Sequence, residues 1–158
     1  MLKLEDLCID PEFQNKIPPL TDAEFEQLRE NILRERTVYV PLCVWNGVIV
    51  DGHHRYKILK EHPEISYKVR EMSFPNKWAA FDWMYKTQLG RRNLTDEQRT
   101  VLIGKMYEAR KKSHGGDRGT TIDPETGRFT ASTQNGDLRG QRQRVSEQIA
   151  NELGVAKN

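Results

Sequence analysis

The sequence predicts an α+β fold, a small sheet with packed helices followed by a further helical segment. Three observations carry that expectation. Thr21-Asp22-Ala23-Glu24 and Thr95-Asp96-Glu97-Gln98 both have the spacing of a capping box, which satisfies orphaned amides at a helix start. From Val38 to Val50 the residues are largely β-branched and aromatic, interrupted by Asn46-Gly47, the pair suited to the positive φ values of a type I′ turn. Directly afterwards a glycine turn, Asp51-Gly52, leads into the helical run His53 to His62, which Pro63 stops.

The elements follow in order. After Thr21, Phe25, Leu28, Ile32 and Leu33 recur on one helical face for burial, while Glu26, Arg29, Glu30 and Arg34 stay in water. The hairpin is expected at Val38–Trp45 and Val48–Val50; Pro41 lacks a backbone donor and argues for an edge or irregular first strand. A short strand fits Tyr67–Val69, with continuation towards Phe74, and Pro75-Asn76 opens another helix. There Trp78, Phe81, Met84, Tyr85 and Leu89 repeat at helical spacing, which suits a core more than a stacking platform for bases. The helix opened at Thr95 turns Leu102, Ile103, Met106 and Tyr107 one way and ends in Arg110-Lys111-Lys112, a cluster that also suits a helix C-terminus electrostatically.

Residues 113–142 hold six glycines and few large apolar residues, the composition of a flexible linker. Beyond it, Val145 to Val155 resembles the first helix and turn of a helix-turn-helix, with Ala150 at the helix crossing, Gly154 at the turn, and Ile149, Leu153 and Val155 inside. The sequence stops at Asn158, where a recognition helix should begin. The segment therefore reads either as a cut-short helix-turn-helix or as an ordinary amphipathic helix, which pairs with a second copy if its apolar stripe finds no other surface. The expected organisation is a domain over 1–94, a helical extension over 95–112, the linker over 113–142 and the partial motif over 143–158.

A chain of 158 residues and 18.4 kDa supports one domain of typical size with appendages. Its mean hydropathy of -0.79 and the lack of any apolar run near 20 residues exclude a spanning helix. The acidic start, Glu5-Asp6, leaves no room for a secretory signal, and two cysteines, Cys8 and Cys43, make neither a disulfide framework nor a zinc site; a cytoplasmic setting is expected. Charge is uneven along the chain. Residues 1–40 carry 5 basic against 9 acidic side chains, whereas 86–112 carry 8 against 3. That second stretch is a phosphate-facing surface or a solvated helix face, and Arg99, Lys105, Arg110, Lys111 and Lys112 are the candidate DNA-binding residues.

The informative spot is Asp51 to Tyr56. A glycine between strand and helix lets a ligand approach the backbone, and the amides of His53, His54 and Arg55 would lie at the positive end of the helix dipole, where phosphate binds well. Arg55 adds a bidentate charge-assisted contact. Alternatively Gly52 only makes the turn, the histidines are solvated and Arg55 pairs with Asp51. Arg91 and Arg92, before the second capping box, face the same anion or are solvent-exposed. His53 and His54, as helix neighbours, point apart and serve one ion poorly, so no structural metal is expected.

The order of elements, together with Ile17-Pro18-Pro19-Leu20, Val44 to Tyr56, and Gln88-Leu89-Gly90-Arg91-Arg92-Asn93-Leu94, resembles the ParB/sulfiredoxin superfamily, specifically the ParB N-terminal domain of plasmid and phage type. The resemblance spans roughly residues 1–112 and implies a small mixed sheet with packed helices. Sulfiredoxins carry Gly-Cys-His-Arg; here His53 stands in the cysteine's place, so that activity lacks its nucleophile. Partition-type ParB proteins cradle the triphosphate of CTP with Gly-Glu-Arg-Arg, which corresponds here to Gly52, His53, His54 and Arg55. Their second motif, Glu-Asn-x-Gln-Arg, is replaced by Thr87-Gln88-Leu89-Gly90-Arg91, which keeps the arginine and loses the acid. The resemblance thus implies DNA as partner, and CTP or another nucleotide with Mg2+ as cofactor, held by Gly52, His53, His54, Arg55, Arg91 and Arg92. The alternative is a ParB-like nuclease or nucleotide hydrolase with Asp51, His53 and His54 as catalytic candidates.

Overall fold

The computed structural model describes residues 2–90, 94–114 and 135–154. The chain divides into two compact units, Met1–Pro75 and Asn76–Asn158. The second unit opens with the helix after Pro75, because that helix packs along the next one.

The first unit opens with a 3-10 turn, Leu4–Asp6, and a short helix α1, Pro11–Gln14, capped by Asp10. Helix α2, Asp22–Glu35, starts at the expected capping box: Thr21 Oγ1 accepts from the Glu24 amide at 3.3 Å, and Glu24 Oε2 accepts from the Thr21 amide at 2.9 Å. It ends where Arg36 turns left-handed at φ 53°. Ile32 is buried and Phe25 and Leu28 pack against the same core, but Leu33 is exposed, at the margin of the face expected to be buried.

Strands β1, Leu42–Trp45, and β2, Val48–Asp51, form the hairpin, and Asn46 and Gly47 both take positive φ, at 50° and 80°. β1 begins only after Pro41, so the proline costs the ladder nothing. It is also the central strand, not an edge: it pairs antiparallel with β2 and parallel with β3, Val69–Glu71, giving a small mixed sheet in the order β2-β1-β3. Beyond β2, the Cys8 backbone accepts from the Ile49 amide and donates to the Gly47 carbonyl, both at 3.0 Å. Helix α3, His53–Glu61, follows β2 through Gly52. Leu42, Val44, Ile49, Ile58 and Leu59 are wholly buried and fix α3 against the sheet. Burying such a side chain contributes about 1.5–3 kcal/mol each.

The second unit is helical: α4, Lys77–Leu89, α5, Asp96–His114, and α6, Asn135–Leu153. Asn76 caps α4, and Thr95 exchanges hydrogen bonds with Gln98 at the start of α5. Phe81, Met84, Tyr85 and Leu89 are buried as their spacing predicts, as are Leu102 and Met106. The stretch expected to be linker is helical at both ends, at 113–114 and from Asn135; its middle lies outside the described residues. α6 packs on α5 with Val145 and Ile149 buried, so the apolar stripe has found a surface within its own chain. Small residues, Gly104 on α5 and Ala150 on α6, help to leave a cleft of about 330 Å3 between these two helices.

Arg110 ties the three helices together. It is 7% exposed; Nε donates to Asp82 of α4 at 2.6 Å and Nη2 to Glu152 of α6 at 2.7 Å. Burial opposes its charge, but the hydrogen bonds and charges of the two carboxylates outweigh that and hold the proton more firmly. The Arg110 hydrogen bond, against a smaller desolvation effect, keeps Glu152 below its ordinary 4.5. Arg110→Gln should therefore lower the stability of the helical unit by about 1–3 kcal/mol in urea unfolding followed by circular dichroism. This is less than for a fully buried pair, because Glu152 is more than a third exposed. Because the folded pKa of Glu152 is depressed, its contribution is complete above its unfolded value near 4.5 and disappears as pH falls through the lower folded value. The difference between wild type and Arg110→Gln should shrink over that acid window.

Candidate functional site

Gly52 sits between β2 and α3 at φ 102°, ψ 22°, the left-handed region that favours glycine. A Cβ there would meet Leu42 Cδ2 at 2.7 Å and Arg55 Nη2 at 3.2 Å, so both backbone conformation and space require glycine. As the N-cap it makes no side-chain capping bond, and the first turn of α3 has no acidic residue. The helix thus begins with its amides and dipole uncompensated by a carboxylate of its own first turn.

Arg55 lies over this turn. Nη2 donates to Asp51 Oδ2 at 2.7 Å, and Nη1 donates to the carbonyls of Val40 at 2.7 Å and Pro41 at 3.3 Å. Both charged side chains are largely covered. One guanidinium therefore links the end of β2, the first turn of α3 and the entry to β1. Of the two readings of Arg55, pairing with Asp51 is present in the folded chain. The carbonyls of Val40 and Pro41 were invisible to motif reasoning; Pro41 marked an irregular approach to the strand, but nothing local marks a carbonyl as an arginine acceptor.

The two histidines differ. His53 is 9% exposed, its Nε2 is buried without a hydrogen-bond partner, and burial pushes the imidazole below its ordinary 6.5 despite the opposing charge of Asp51. It is therefore neutral at neutral pH and poorly placed to exchange protons with solvent. His54 is half-buried, its ring 5.9 Å from that of Phe25 on α2. Cys43 lies nearer the motif than its sequence position suggests, opposite Asp51 across the hairpin. Its thiol is buried and pushed up by burial and then by the Asp51 charge, which keeps it protonated and a poor nucleophile. Among the described residues no group of three His, Cys, Asp or Glu could hold a metal ion, and no helix is long and apolar enough to cross a membrane.

The sequence matches no family model, and no curated protein matches it. Solved structures do. The C2221 form of a pNOB8-like ParB N-domain aligns with 96% of this chain at a TM-score of 0.63 and 19% identity, over 61% of its own length. This chain has the ParB N-domain fold. A second pNOB8-like ParB N-domain structure aligns with 96% of the chain at 0.57 and 18% identity, over 57% of its length. The chain thus spans about three fifths of the solved chains it matches.

In this ParB-like fold Asp51, Gly52, His53, His54 and Arg55 are brought together, while Arg91 and Arg92 lie outside the described residues. Of the candidate DNA-binding side chains, Lys105, Lys111 and Lys112 are exposed and Arg99 is half-buried. Arg110 is not on that surface: its ion pairs with Asp82 and Glu152 turn it inward, and the role assigned to it from its neighbours is corrected accordingly.

Gly52→Ala should destabilise the first unit by about 2–4 kcal/mol, the left-handed backbone and the overpacking against Leu42 adding together. Gly104→Ala, where a Cβ meets nothing within 4 Å, should instead stabilise the helical unit by about 0.5–1 kcal/mol. Urea unfolding of both variants checks the opposite signs.

Proposed function

We propose that this chain is a ParB-like, DNA-associated protein whose Asp51–Tyr56 turn receives the phosphates of a nucleotide. The observation that carries the reading is Gly52. On a ParB N-domain fold it places the amides of His53, His54 and Arg55 at the start of a helix with no acidic first turn, where an anion is favoured. Arg55 adds charge beside those amides, but its bond to Asp51 balances part of it, so the backbone contributes more and the guanidinium less than the motif alone implies.

CTP or another nucleoside triphosphate fits the amide cradle. Mg2+ is less well served: Asp51 is the carboxylate at hand and it is engaged by Arg55, so the ion would be held chiefly by phosphate and water oxygens. The nuclease or hydrolase reading draws less support: of its candidates Asp51, His53 and His54, Asp51 is paired with Arg55 and His53 is buried, which leaves half-buried His54 to move a proton. The basic residues of α5 supply the DNA-facing charge, and partition, plasmid maintenance or transcriptional regulation would all use the combination.

Calorimetric titration of the full chain with CTP, ATP, GTP and inorganic phosphate, with and without Mg2+, tests the reading. Saturable binding of a triphosphate, tighter than phosphate alone, is expected. Absence of heat with every ligand contradicts a phosphate site, and steady turnover of nucleotide favours the hydrolase instead.

A further inference from the structure

We propose that Trp78, with Lys77 and Lys112 held against its ring, forms a docking surface for the phosphate backbone of duplex DNA. The inference rests on the DNA-associated reading above and gives it a location. Lys77 Nζ lies 5.1 Å from the Trp78 ring centroid and Lys112 Nζ 4.5 Å from it, although the two lysines come from the start of α4 and the end of α5. Ser113 Oγ donates to Asn76 Oδ1 at 3.5 Å, joining the same two helix ends.

The ring is a fixed platform. It packs edge-to-face with the Phe81 ring, centroids 5.6 Å apart at 78°, and Phe81, 1% exposed, belongs to the packed interior of the helical unit. Each ammonium is attracted to the negative face of this half-buried ring, while the two like charges drawn to it repel each other. Backbone phosphates of a duplex, one to each ammonium, offset that repulsion, and the ring keeps both side chains from having to be ordered when the anions arrive. The surroundings favour an anion too: α4 has no acidic residue in its first turn, and exposed Lys111 is adjacent in sequence. Because ammonium groups already engage the indole, stacking of an unpaired base is disfavoured, and the surface suits backbone contacts that carry no sequence information.

Fluorescence anisotropy of a labelled mixed-sequence duplex and of one of its single strands, titrated with the full chain at rising salt, tests the surface. Lys77→Gln/Lys112→Gln should weaken duplex binding about tenfold or more and lower the log–log salt slope by about 1.8, about 0.9 for each phosphate no longer neutralised. Trp78→Leu, which keeps both charges, should weaken binding with the slope nearly unchanged, and Trp78→Phe should restore it. Circular dichroism of each variant verifies folding. If the unaltered chain binds duplex and the double lysine variant binds equally with the same slope, the surface is wrong and the DNA-associated reading survives. Tighter binding of the single strand than of the duplex also overturns the surface. If the unaltered chain binds neither, both the surface and that reading fall.

Discussion

The grip of Arg55 on its own neighbourhood is the constraint on which the first unit depends. Asp51 ends a strand, Arg55 belongs to the first turn of a helix, and Val40 and Pro41 precede the central strand. A single guanidinium bonded to all of them sets the angle at which α3 leaves the sheet. Gly52 permits the turn because its φ is positive and because Leu42 and Arg55 occupy the space a side chain would need. The buried face of α3, Tyr56, Ile58 and Leu59, then seals the arrangement, with Tyr56 Oη donating to the Leu7 carbonyl at 2.9 Å. The same interaction bears on the proposed phosphate site. An arginine that holds the turn together cannot give all its charge to a ligand, so recognition of an anion shifts towards backbone amides.

Much of this architecture was legible because it is written in local chemistry. Capping boxes at Thr21 and Thr95 need only residues three apart, and Asn46-Gly47 declares its turn by the φ values it tolerates. What escaped depends on partners distant in sequence. Arg110 reads as one of three basic residues at a helix end, yet Asp82 and Glu152, 28 and 42 positions away, make it the tie of a three-helix unit. Pro41 argued for an edge or an irregular strand; the strand starts just past it, lies at the centre of the sheet and shifts register between Cys43 and Val44. The compact unit that begins at Asn76 depends on packing of the same kind: α4 joins α5 through contacts that its sequence pattern does not distinguish from packing on the sheet. In the candidate site, the pairing of Arg55 with Asp51 was one of the two readings the motif allowed, whereas its bonds to the Val40 and Pro41 carbonyls and the burial of His53 were not visible in it.

The helical unit shows how one run of basic residues divides its labour. Arg110 turns inward to two carboxylates, while Lys112 turns to the Trp78 ring and Lys111 to solvent. Net charge over such a stretch says how strong a field it can make, and only the side-chain partners say which charges are available to form it.

The central claim is that the amides following Gly52 are the phosphate-receiving groups of this ParB-like fold. Its most direct measurement is an amide chemical-shift map of the full chain titrated with CTP. The prediction is that the largest changes fall on the backbone amides of Gly52, His53, His54 and Arg55, with smaller ones at Val40 and Leu42 as Arg55 readjusts. Binding whose shifts leave that turn untouched and gather only on the exposed lysines of α5 would contradict the claim.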